Sequence, residues 1–120
     1  MKTIDPIASR SPVAERVRWV LTRAAFAVLI FLLAAGGLAL SRNGASISPL
    51  WLANGVLAVV LLHSTRRTVL GWIVAALLGF ISANLAGHFQ YVGAVVLALI
   101  NCAEAAGGTW LVLRWQKTVP

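Results

Sequence analysis

The sequence predicts an all-α integral membrane protein with four transmembrane helices in an antiparallel hairpin arrangement. Of its 120 residues, 60% are hydrophobic and only 11% are charged, whereas about 25% of the residues are charged in an average soluble domain. The hydrophobic residues form four blocks, each long enough for one helix to cross a hydrocarbon core about 30 Å thick. Short polar connectors separate the blocks, so consecutive helices are expected to run antiparallel. The predicted spans are residues 24–40, 47–63, 69–87 and 92–113.

The basic residues predict the orientation of these helices. Nine of the ten Lys and Arg residues fall in the leader (residues 1–23), in the second connector, or after the fourth span. Antiparallel hairpins place these three segments on one side of the membrane, which leaves only Arg42 on the other side. Short loops rich in Lys and Arg stay in the cytoplasm. Both termini are therefore expected to be cytoplasmic.

The two ends of the chain are expected to lie outside the four-span domain, which covers residues 24–114. The basic leader is either disordered or, from Val13 onward, an amphipathic helix on the membrane surface. Its apolar continuation is longer than the roughly 7–15 residues of a signal-peptide core, so cleavage is not expected. Residues 115–120 form a short cytoplasmic tail.

Composition excludes several functional classes. The net charge is +7, but the basic residues flank the apolar blocks instead of forming one face, so nucleic-acid binding is not expected. The single Cys102 rules out an intrachain disulfide and a CxxC metal site. The sequence contains no nucleophile triad, phosphate loop or paired carboxylates. We therefore expect no enzyme activity, no cofactor and no metal, with the lipid bilayer as the main partner.

The third span carries a small residue at every fourth position. Rows of this kind let helix backbones approach closely, which stabilises helix pairs inside a membrane. The row could serve packing within one chain, which is favoured, or a homodimer formed through the third span. We call these positions the small-residue row: Gly71, Ala75, Gly79, Ala83 and Gly87.

Glu104 is the most informative single residue, because it is the only acidic residue after Glu15 and lies inside the fourth apolar block. A carboxylate near the bilayer centre costs about 2.5 kcal/mol or more. Helical periodicity places Glu104 with Asn101 on the small and polar side of the helix, so the carboxylate is expected to point into protein or into an internal cavity. Asn54 lies at a similar depth in the second span. These three residues are candidates for a polar core or for a site that senses an unknown small ligand or a proton.

Several short motifs occur in the order seen in a known family. Trp51 and Gly55 match a W-P-x-x-G element, Asn101 and Glu104 match an N-x-x-E element, and Arg114 follows the last span. In this order and spacing the chain resembles the first family of bacterial membrane-associated sensor domains (the MASE type). Leu52 stands where the family has proline, and the family domain typically has about twice as many spans.

The resemblance implies a membrane-embedded signal-input module in the bacterial inner membrane. In this family the input module is usually joined to a diguanylate cyclase, a phosphodiesterase or a histidine kinase. The expected function is thus sensory, with cyclic di-GMP signalling as one route, in a chain truncated before its output domain. Two alternatives remain: a small four-span proton-coupled transporter with Glu104 as its intramembrane carboxylate, or a non-functional sensor fragment.

Overall fold

The computed structural model describes residues 11–42 and 50–118, with the side chains of residues 41, 42, 50 and 51 left out of the description. All regular structure in these ranges is helical, as the sequence predicts. Four helices follow one another along the chain: α1 (Pro12–Arg42), α2 (Leu50–Leu62), α3 (Val69–Ala86) and α4 (Tyr91–Thr118).

Three of the four helices are long and apolar enough to cross a membrane. They are α1, α3 and α4, with 31, 18 and 28 residues. Helix α2 has only 13 residues, which corresponds to about 20 Å against a hydrocarbon core of about 30 Å. The sequence predicts a span over residues 47–63, of which 47–49 lie outside the described residues. Length and composition thus identify three spans and a shorter apolar helix.

Helix α1 begins well before the first apolar block. The N–H of Ala14 donates a hydrogen bond to the Ser11 side-chain oxygen at 3.1 Å, and Pro12 is the first helical residue. Serine at the N-cap followed by proline is a strong helix start. From Pro12 onward the leader is therefore helical, and the helix continues without a break into the first span. The predicted span starts later, at residue 24, because hydropathy marks the apolar block and not the start of the helix.

Helices α1 and α3 run parallel and pack through the small-residue row. Residue numbers rise together along both helices, and a Cβ atom added at Gly79 would lie 2.6 Å from a carbonyl oxygen of α1. Helix α1 of the same chain therefore covers the three glycines of the row. From the sequence alone, either packing within the chain or a homodimer was expected there. The contacts join Gly71 to Trp19, Gly79 to Ala27 and Gly87 to Leu38.

The short connection between α3 and α4 contains a histidine in a backbone conformation that is unusual for residues other than glycine. His88 has a φ of 68°, a left-handed conformation that glycine normally supplies. Its N–H donates to the Leu85 carbonyl at 3.1 Å, and the Phe89 N–H donates to the Asn84 carbonyl at 3.1 Å. These two bonds form a Schellman motif, which satisfies carbonyls that the end of α3 would leave unpaired.

Substituting His88 by glycine is expected to stabilise the fold. A left-handed conformation costs a non-glycine residue about 1–2 kcal/mol, partly offset by the greater freedom of glycine in the unfolded chain. We expect His88→Gly to raise the free energy of unfolding by about 0.5–1 kcal/mol. The free energy of unfolding is measured by titrating a denaturing detergent and following the loss of helix by circular dichroism. His88→Ala is the control, because it removes the ring and keeps the Cβ atom, and an equal gain for both variants would contradict the assignment.

Candidate functional site

A hydrogen bond between two helices links Glu104 to Asn54. The side-chain amide of Asn54 on α2 donates to Oε2 of Glu104 on α4 at 3.2 Å. The two helices run parallel, since Thr109, further along α4, lies opposite Ala58, further along α2. Two of the three candidate polar residues are therefore brought into direct contact.

Glu104 nevertheless lies on the exposed side of α4 in this chain. The prediction that its side chain points into protein or into an internal cavity is therefore wrong. Glu104 follows Ala98 by six residues, which places it about 120° around the helix from the middle of the buried face. Size and polarity suggested a wider packing face, but α2 and α3 cover only the stripe centred on the alanines. The buried residues of α4 are Ala94, Ala98, Asn101, Cys102, Ala105 and Thr109.

Asn54 has one bonded and one unbonded polar atom. Its amide nitrogen bonds Glu104, while its carbonyl oxygen Oδ1 is buried and accepts no hydrogen bond from any described residue. A buried acceptor without a donor costs about 1–3 kcal/mol. The pair therefore offers a carboxylate at the surface of α4 and, beside it, an acceptor that a donor group would stabilise.

Asn101 is placed differently from the other two candidates. It is buried, with 8% of its surface exposed, on the stripe of α4 that faces the neighbouring helices. No hydrogen bond joins its side chain to Asn54 or to Glu104 among the described residues. The predicted cluster of three is thus a bonded pair with a buried neighbour on the same helix.

Two buried polar residues that the sequence reasoning did not select also connect helices. Asn84, 3% exposed, donates from its side chain to the Ala94 carbonyl at 3.0 Å and so joins α3 to α4. The Thr109 hydroxyl donates to the Ala105 carbonyl at 2.7 Å and lies 3.5 Å from the Ala58 carbonyl. Asn84 is an amide residue near the end of the third apolar block, and an amide at that place is the signal from which it could have been predicted.

Neither Gly55 nor Arg114, the other motif residues with described surroundings, adds a side-chain group to the pair. A Cβ atom at Gly55 would meet no described atom within 4 Å, and the side chain of Trp51 lies outside the described residues. Arg114 is exposed near the end of α4, with its guanidinium 5.1 Å from the centre of the Trp110 ring. Gly55 and Arg114 therefore add no group to the Asn54–Glu104 contact.

Comparison with known proteins identifies the family. No match to the chain was found among curated proteins or among solved structures. The family model MASE1 matches residues 22–120, which include every helix described above except the first turns of α1. MASE1 domains are membrane-associated sensor domains, in keeping with the apolar helices found here. Because the match covers most of its length, the chain belongs to the MASE1 family of membrane-associated sensor domains.

Proposed function

We propose that the chain is a membrane-embedded signal-input module in which the Asn54–Glu104 contact responds to a small ligand or a proton. One observation carries the proposal: an interhelical hydrogen bond of 3.2 Å joins an exposed carboxylate to an amide whose oxygen is buried without a donor. Ionisable groups within membrane segments are expensive and usually functional. A ligand with a donor group, or a proton, would change the interactions of both side chains at once.

The response would travel along α4. This helix is continuous over 28 residues from Tyr91 to Thr118, so a change in its contact with α2 would move its far end. A stimulus shifts an equilibrium only as far as it prefers one of the two arrangements. Binding at the pair would therefore favour one packing of α4 against α2, and the end of α4 would pass this packing to an output domain.

The proposed topology places both termini in the cytoplasm of a bacterial cell, with the chain in the inner membrane. Nine of the ten basic residues then lie on the cytoplasmic side, as expected for short loops. Helix α2 is proposed as a fourth span. Its 13 described residues fall short of the bilayer thickness, so a span here requires the bilayer to thin locally.

The output is proposed to be an enzyme domain that follows the input module. By resemblance to other members of the family, it would be a diguanylate cyclase, a cyclic di-GMP phosphodiesterase or a histidine kinase. The sensor itself would then contribute binding and conformational change, and the chemistry would belong to the output domain.

The test substitutes Glu104 in a signalling protein that carries this domain ahead of a diguanylate cyclase. Glutamine keeps the length of the side chain and an acceptor oxygen, but it carries no charge and takes up no proton. We expect Glu104→Gln to change the cellular cyclic di-GMP level by about fivefold or more, the lower end of common allosteric couplings. Immunoblotting of membranes confirms that both proteins are equally abundant.

The control is Glu15→Gln, which removes an exposed carboxylate at the start of α1 and is expected to leave cyclic di-GMP unchanged. An unchanged level in Glu104→Gln would refute the proposed role of the pair. Proton-coupled uptake of a lipophilic cation by the purified chain in proteoliposomes, lost in Glu104→Gln, would instead favour the transporter.

A further inference from the structure

The seam between α1 and α3 opens into a groove that runs from Trp19 to Ala27 on α1 and from Leu70 to Leu78 on α3. The groove has a volume of about 520 Å³ and is almost entirely apolar, except for two arginines. Arg23 comes from α1, and Arg67 comes from the connector that precedes α3. Val20, Leu70 and Val74 are among its apolar lining residues. The groove is therefore apolar along its length and positively charged at one end.

Arg23 is held in a fixed position at this end. Its guanidinium lies 4.5 Å from the centre of the Trp19 ring and 4.3 Å from that of Trp72, so the two rings hold it by cation–π contacts. Its Nε atom is buried and has no hydrogen-bond partner among the described residues. A Cβ atom at Gly71 would lie 2.9 Å from the Trp19 ring, so the glycine lets this ring pack closely on α3. The groove lining includes no carboxylate that would neutralise the two arginines.

The groove is long enough for an acyl chain in one leaflet. A second hollow of about 180 Å³ lies next to it, shares Ala27 and Leu78 with the groove and reaches Phe31. Twelve residues separate Trp19 from Phe31, or about 18 Å along α1. One leaflet of a typical bilayer contributes about 15 Å of hydrocarbon.

We propose that this groove binds an anionic phospholipid selectively. Its phosphate lies between Arg23 and Arg67, and one acyl chain follows the α1–α3 seam past Ala27 and Leu78. Guanidinium groups bind phosphate oxygens through strong charge-assisted hydrogen bonds, which the terminal N–H groups of Arg23 and Arg67 would donate. The site lies on a different helix pair from the Asn54–Glu104 contact, so lipid binding there does not require the proposed sensory role.

The test measures lipid retention by the purified chain in native mass spectrometry. The probes are phosphatidylglycerol and phosphatidylcholine with identical acyl chains, supplied at equal concentration. We expect phosphatidylglycerol to be retained preferentially and Arg67→Gln to reduce its retention about fivefold, the typical effect of one arginine near an anionic membrane. Arg66→Gln is the matched control, because it removes the same charge from the same connector outside the groove, and it is expected to retain the lipid.

A second pair of variants tests the acyl-chain part of the groove without changing charge. Ala24 lines the groove, whereas its neighbour Ala25 does not, and both are exposed. Ala24→Leu is expected to lower retention of phosphatidylglycerol, and Ala25→Leu is expected to leave it unchanged. Inorganic phosphate added in excess should not displace the lipid, because the acyl chain contributes to binding.

Three outcomes would overturn the proposal. Equal retention of the two lipids would show that the arginines confer no selectivity. Equal losses in Arg66→Gln and Arg67→Gln would show a general effect of surface charge. Full retention in Ala24→Leu would show that the acyl chain does not occupy the groove.

Discussion

Replacing Gly79 by alanine is expected to lower the free energy of unfolding by about 1–3 kcal/mol, the usual cost of overpacking a close contact. The added Cβ atom would lie 2.6 Å from the carbonyl oxygen of Ala27 and 2.9 Å from the side chain of Ile30. Ile30 is fully buried, and a backbone carbonyl cannot rotate away as a side chain does. The two helices would have to separate along the seam that holds α1 to α3.

The measurement is unfolding in mixed detergent micelles, followed by circular dichroism. Gly108→Ala is the matched control, because Gly108 also lies inside a helix and a Cβ atom there meets no described atom within 4 Å. Alanine favours helix over glycine by about 0.8–1 kcal/mol in water, so this variant is expected to be unchanged or slightly stabilised. Equal stability of the two variants would contradict the close packing of α1 on the small-residue row.

The close packing of the third span could be predicted from the sequence, but its partner could not. Glycines at positions 71, 79 and 87 have no side chains, so a neighbouring backbone can approach, and this property can be read directly from the residues. Which helix approaches depends on the summed contacts of every helix in the chain. The sequence therefore left a second copy of the chain open, and the structure places α1 there at these three glycines.

The contact between Asn54 and Glu104 could be predicted because a polar side chain in an apolar span needs a partner, and depth limits the choice. The direction of Glu104 could not be predicted in the same way. Periodicity shows which residues share one side of α4. It does not show how much of the circumference of α4 the neighbouring helices cover. The Asn54–Glu104 bond lies at the edge of the α2–α4 contact, where one partner remains exposed.

The second large effect is expected when both members of this pair are changed. Asn54→Leu removes the donor, and Glu104→Leu removes the acceptor. Each substitution alone is expected to change output by about fivefold or more, because each one breaks the same bond. Once one substitution has broken the bond, the second has no interaction between the two side chains left to break. The effects of the two substitutions on output are therefore expected not to be additive.

The most direct test of a sensory role for the Asn54–Glu104 contact is this double-mutant cycle, measured as cellular cyclic di-GMP in a signalling protein with a diguanylate cyclase output. Membrane abundance is matched by immunoblot, and Glu15→Gln combined with Asn54→Leu provides an additive reference. We expect the double variant Asn54→Leu, Glu104→Leu to give the same output as the stronger single variant. Fully additive effects, or an output unchanged in all variants, would contradict a sensory role for the Asn54–Glu104 contact.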